Sequence, residues 1–125
     1  MANINDKIGK WFYKHFENDW IERAPKEYVA RIGTDAAKFF IKVISKAAIT
    51  IGSYRFYAPG ARTKARSAHE QVHVEQYTEY GASFIPLYVW YSIIALFKGD
   101  DPYKDNKFEE EAEKAEAAST TKKDQ

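Results

Sequence analysis

Fourteen consecutive residues, Phe84 to Phe97, carry no charge: Phe-Ile-Pro-Leu-Tyr-Val-Trp-Tyr-Ser-Ile-Ile-Ala-Leu-Phe. Such a run has to find apolar neighbours, and its length limits which. A helix that crosses a bilayer needs about 20 apolar residues. This run is shorter, and it contains Pro86, Tyr88, Tyr91 and Ser92. Pro86 suits the first turn of a helix and Gly99 its end. The run predicts a central buried helix in a soluble domain, with the remaining elements packed around it. A membrane-dipping segment is the minority alternative.

The length suits one domain with a modest core. Nine Tyr, eight Phe and three Trp favour a packed globule over disorder. A net charge of +1 gives no case for nucleic acid or for an acidic polymer as partner. With no cysteine there is neither a disulfide framework nor a thiolate metal site. Residues 1–7 lack the apolar run of a signal peptide, so a cytoplasmic or virion-associated protein is expected.

Ile8, Trp11, Phe12, His15 and Phe16 repeat at helical spacing, with Lys7, Lys10, Lys14 and Glu17 elsewhere on the helix. This predicts an amphipathic helix ending before Pro25. His15, on its apolar face, reads as a core or interface histidine rather than a ligand. Residues 26–33 read as a short helical or irregular connection closing at Gly33. Thr34 then suits an N-cap, and Phe39, Phe40, Val43, Ile44 and Ala47 predict a second amphipathic helix through about Lys46. From 48 to 57 the chain turns to β-branched and aromatic residues. Gly52-Ser53 suits a two-residue type II′ turn, giving a small β-hairpin that ends at Pro59-Gly60. Such a hairpin either offers an edge strand to an extended substrate or only caps the core. Arg62, Lys64 and Arg66 read as ordinary exposed charges. After a turn at 98–103, Asn106 and the glutamates beyond it start an acidic helix, and a polar tail follows from Ser119.

Between the hairpin and the uncharged run stands Ala68-His69-Glu70-Gln71-Val72-His73-Val74-Glu75-Gln76, which contains His-Glu-x-x-His. Residues four apart share a helical face, so His69 and His73 can point at one Zn2+ ion. Glu70, about 100° round the helix, can reach a water beside that ion without ligating it. The same angular spacing puts His69, His73, Gln76, Tyr77 and Tyr80 on one arc and Gln71, Glu75, Thr78 and Glu79 on the opposite, solvent arc. Ser67 is a candidate N-cap and Gly81 the stop. A catalytic zinc has three protein ligands and one open position. Gln76 and Glu79 stand where an extended motif would need Gly and His. Glu79 lies about 15 Å along the axis from His69 on an unbroken helix. The third ligand has to come from a later helix, where Glu109, Glu110 and Glu111 are candidates.

His69-Glu70-x-x-His73-Val74-x-Gln76, then Tyr80-Gly81, then Tyr103-x-x-Asn106-x-Phe108-Glu109-x-Glu111-Ala112 resembles the glutamate-zincin (gluzincin) family, in the form of small bacterial and phage metallopeptidase-like proteins. The resemblance covers about residues 48–113. It implies that Glu109, three before Ala112, is the third zinc ligand, with Glu110 and Glu111 next. Relatives often carry Pro where this chain has Lys107. The implied fold class is α+β, mainly α: a zincin-like minimal domain with a small β-hairpin beside the His-Glu-x-x-His helix and a following buried helix. The chain then divides into N-terminal amphipathic helices (1–47), a zincin-like core packed with them (48–118) and the tail (119–125).

The expected function is a zinc-dependent metallopeptidase-like hydrolase acting on a peptide or protein. His69, His73 and Glu109 would bind the metal and Glu70 would be general base. Tyr77, Tyr103 and Arg66 stand as alternatives for stabilising the oxyanion. A rival reading is a non-catalytic structural or interaction protein, for example a phage virion component, held in a protein assembly. A third is a membrane-peripheral protein using the helices around Trp11 and Trp90. A membrane is not the expected partner, and neither is nucleic acid.

Overall fold

A computed structural model describes residues 3–124, and the side chains of residues 3–119. Met1 and Ala2, which open the stretch read as having no signal peptide, and Gln125, the last residue of the tail, lie outside it. The chain forms α1 (Ile4–His15), β1 (Trp20–Ala24), β2 (Glu27–Ala30), α2 (Asp35–Phe39) running into a π-helical turn (Phe40–Ile44), β3 (Ala48–Ile51), β4 (Tyr54–Tyr57), α3 (Lys64–Tyr80), α4 (Phe84–Phe97) and α5 (Lys107–Asp124). Helix outweighs strand, 62% to 15%, so the fold is mixed but mainly helical.

The sheet has four strands in the order β1-β2-β4-β3, not a hairpin alone. β1 and β2 are antiparallel, β2 and β4 parallel, β3 and β4 antiparallel. The β3–β4 turn is as expected: φ is positive at Gly52 but not at Ser53, the pattern of a II′ turn. The β1–β2 hairpin overturns the reading of residues 20–33 as helix end and connection. Pro25 is a turn residue there, and Lys26 takes a positive φ of 60° without help from glycine. Because β2 pairs with β4, residues 20–30 and 48–57 share one sheet.

One face of the sheet packs on α1 and α2 through Phe12, Trp20, Tyr28, Ala36, Phe40 and Phe56. The buried stripe of α1 is Asn5, Gly9 and Phe12, whereas Trp11 is 63% exposed. His15 is exposed and stacked on Trp11, so it is no core histidine. Thr34 caps α2 as expected, but the π turn rotates the face and leaves Val43 exposed. The other face of the sheet carries Val29, Ala48, Thr50 and Tyr57 beneath α3.

A third cluster, Tyr77, Phe84 and Phe108, joins α3, α4 and α5. The predicted burial of α4 fails here. Phe84 and Ala95 are its only buried residues, while Ile85, Val89, Trp90, Ile93, Leu96 and Phe97 face outwards. Leu87, Tyr88 and Tyr91 pack partly against the cluster. α5 runs as helix through the described part of the predicted tail.

Candidate metal centre

α3 begins one turn earlier than expected. Thr63 is the N-cap, accepting from Arg66 N, and Ser67 lies within the helix and donates to Glu27. Gly81, at φ 57°, ends the helix. His69, Glu70, His73, Gln76 and Tyr77 are buried, and Gln71, Glu75, Thr78 and Glu79 are exposed. The ligand atoms of His69, Glu70 and His73 lie within 4.8 Å of one another.

α5 delivers the carboxylate. Asn106, fully buried, accepts from Phe108 N and donates to Tyr88 O and to Ser92 Oγ, which pins the start of α5 against α4. Glu109, in the first turn, then enters the space between the histidines. Its Oε1 lies 3.0 Å from His69 Nε2 and 3.1 Å from His73 Nε2. Its Oε2 accepts from the Tyr88 hydroxyl at 2.6 Å. Glu110 and Glu111 are exposed, and Glu111 accepts from Gln76 instead. Only Glu109 of the three adjacent glutamates meets the histidines.

The proton inventory bears on what the site holds. Gln76 Nε2 donates to Phe108 O and Glu111 Oε2, so Gln76 Oε1 must be the acceptor for His73 Nδ1 at 2.9 Å. His73 therefore carries its proton on Nδ1 and turns Nε2 to Glu109. His69 Nδ1 lies 2.9 Å from Glu116 Oε1, although off the line of a good hydrogen bond. With no hydrogen bond at Nδ1, His69 is free to donate from Nε2 to Glu109 Oε1, while His73 Nε2 turns a lone pair to the same oxygen. That second contact needs either one further proton, on His73 or Glu109, or a cation between the groups. Neighbouring donor atoms around a tetrahedral zinc with bonds of about 2.0–2.1 Å sit about 3.3 Å apart. The observed spacings of 3.0 and 3.1 Å are hydrogen-bond lengths a little below that separation. Burial pushes the His73 pKa down, but Glu109 outweighs it and holds it above the usual value. Burial likewise pushes Glu109 up, and its hydrogen bonds to the two histidines bring it far below the carboxylate range.

Glu70 is held beside this centre. Thr50 Oγ1, on the edge strand β3, donates to Glu70 Oε1 at 2.7 Å, and Glu70 Oε2 lies 3.9 Å from His69 Nε2. Of the three oxyanion candidates, Tyr77 is committed to Thr50 O and Arg66 stands 3.8 Å from Glu116. Tyr103 lines two openings. One is an apolar cavity of about 370 Å³ with Ile44, Ala48, Ile49, Ile85 and Val89 on its walls and Glu70, His73 and Glu109 at its base. The other is a polar cleft bordered by Arg66, His69, Lys104, Glu113 and Glu116. Burial, then the charges of Glu109 and Glu70, push the Tyr103 hydroxyl pKa up, so it stays protonated.

Gln76 was legible in part, since it lies on the inward arc three residues after His73. Thr50, Tyr88 and Glu116 left no local signal, because each reaches the site from a different element. No family model, curated protein or solved structure matches the chain.

Proposed function

We propose that the protein is a zinc-dependent hydrolase of peptide bonds, with a gluzincin-like site of His69, His73 and Glu109. The observation that carries this reading is the convergence of two imidazole Nε2 atoms on one carboxylate oxygen, a donor set that a bound dication would satisfy. Zinc bound there would polarise a carbonyl and acidify a water.

The chain's own residues supply the rest. Glu70, oriented by Thr50, accepts a proton from the attacking water and returns it to the leaving amine. Tyr103, protonated and facing the cavity, donates to the carbonyl oxygen as negative charge develops. Gln76 and Tyr88 orient His73 and Glu109 by hydrogen bonds, as outer partners of ligands commonly do. β3 stands at the edge of the sheet beside the cavity, where an extended peptide can add as a further strand.

The test combines metal analysis with cleavage of an unstructured peptide library read by mass spectrometry. The purified chain is expected to hold one zinc and to cut. Glu70→Gln should keep the zinc and lose about 10²–10⁴-fold in rate. Glu109→Ala should weaken zinc binding far more than Glu110→Ala. Full zinc occupancy in Glu109→Ala, or undiminished cleavage by Glu70→Gln, would overturn the assignment.

A further inference from the structure

The outward face of α4 is larger than a soluble surface usually leaves open. Taking 100° per residue, Ile85, Leu96, Val89, Ile93, Pro86, Phe97 and Trp90 fall within about 140° of arc. All seven are exposed, Trp90 by 55% and Phe97 by 89%. Together they present on the order of 700 Å² of uncharged side chain, beyond the ~300–600 Å² of a typical largest patch. This face continues into the cavity, because Ile85 and Val89 belong to both.

Ile44, the last residue of the π turn, and Lys46 beyond it line the same cavity. Its neighbours Ile41 and Val43 are 74% and 64% exposed. Lys38, Lys42 and Lys46 are exposed among them, and no acidic residue occurs between Asp35 and Glu70. Asp101, in the turn after α4, accepts from Tyr103 N and Lys104 N within its own loop. The cavity is therefore lined from α4 and from the end of the π turn, and each of these elements leaves further apolar side chains exposed, with lysines interleaved on the second.

We infer that this face docks on an anionic lipid bilayer, with the mouth of the cavity at the membrane surface. Apolar side chains and a tryptophan partition into the interfacial region, and lysines beside them meet acidic headgroups. A second copy of the chain fits less well, since two-fold pairing of this face would set Lys38 and Lys42 of the two copies together, while Asp101 stands near Lys46 and answers that charge alone. The 14 residues of α4 reach about 21 Å, short of the roughly 30 Å hydrocarbon core. The longer helical run Lys64–Phe97 would pass that length only by taking in α3, whose His69, Glu70, His73 and Gln76 are buried in the protein, so the proposed docking lays α4 in the interface. Docking needs no metal and is independent of the hydrolase reading.

Vesicle flotation of the full chain tests this. The protein should float with phosphatidylcholine vesicles containing phosphatidylglycerol, with or without zinc, and much less with phosphatidylcholine alone or at high salt. Val89→Asp with Trp90→Asp should lower binding about tenfold, equivalent to ~1.4 kcal/mol, with the far-ultraviolet circular dichroism unchanged. Lys38→Glu with Lys42→Glu should remove the preference for the acidic lipid. No flotation of the wild type, flotation indifferent to these variants, or a dimer in sedimentation that Val89→Asp dissolves while vesicles bind nothing would each overturn the proposal.

Discussion

Glu27, at the start of β2, is buried among four partners that the chain brings from three places. Tyr57 Oη donates to it at 2.7 Å, Ser67 Oγ at 2.9 Å and Arg62 at 2.8 Å, and Arg55 stands 3.5 Å away. Arg62 thus holds the sheet to α3 and is not the idle surface charge its sequence neighbourhood suggests. Burial pushes the Glu27 pKa up, but Arg62, Tyr57 and Ser67 pull harder and leave it below its ordinary 4.5. A depressed carboxylate contributes stability that is complete above its unfolded pKa and is lost as pH falls through the folded one. Glu27→Gln should cost about 2 kcal/mol at neutral pH. That is less than the ~3–5 kcal/mol of breaking a fully buried pair, because Arg62 can still reach water. Urea unfolding of both proteins at a series of pH values should show a constant difference above about pH 5 that shrinks below 4.5.

At the scale of elements, α1 rides unusually close to the β3–β4 hairpin. A Cβ added at Gly9 would stand 2.6 Å from Ile51 O and 2.8 Å from Tyr54 Cδ1. Asp6 Oδ1 accepts from Ser53 N and Ser53 Oγ, so the turn is tied to the same helix. Alanine in place of a helical glycine gains about 1 kcal/mol of propensity. Overpacking costs about 1–3 kcal/mol, and the Ile51 carbonyl belongs to a paired strand that cannot easily retreat. The clash should win. Gly9→Ala is expected to lower stability by about 1–2 kcal/mol by urea unfolding, and a gain in stability would show that α1 can lift off the hairpin. α1 was legible from its periodicity, although its buried stripe was not. Gly9 and Asn5 count as inward residues only once the hairpin and the end of α3 stand opposite them.

For the whole molecule, a metal bound at the proposed centre between α3 and α5 would link folding to metal. A ligand that binds only the folded chain stabilises it by about 2.7 kcal/mol at 100 times its Kd. Added zinc should raise the melting temperature and a chelator should lower it. In His73→Ala the shift should largely vanish, because a metal bound between His73 and Glu109 would bridge α3 and α5 and loses one of its ligands. An equal zinc shift in wild type and His73→Ala, measured by calorimetry, would place the metal elsewhere.

The His-Glu-x-x-His helix, the II′ hairpin and the caps at Thr34 and Gly81 were written in the sequence, because each depends on a few adjacent residues and one backbone period. That the fold is mixed but mainly helical, with a small sheet, was legible for the same reason. Glu109 was singled out by a resemblance, and its meeting with His69, 40 residues away, rests on Asn106 and Tyr88 holding α5 against α4. The β1–β2 hairpin escaped notice because its turn uses Lys26, which has no glycine-like preference for positive φ. The outward face of α4 was also a tertiary decision. Apolarity all round a helix says that it must be covered, but not by what. Only the packing shows that Tyr77 and Phe108 take one side, and that the protein itself leaves the other bare.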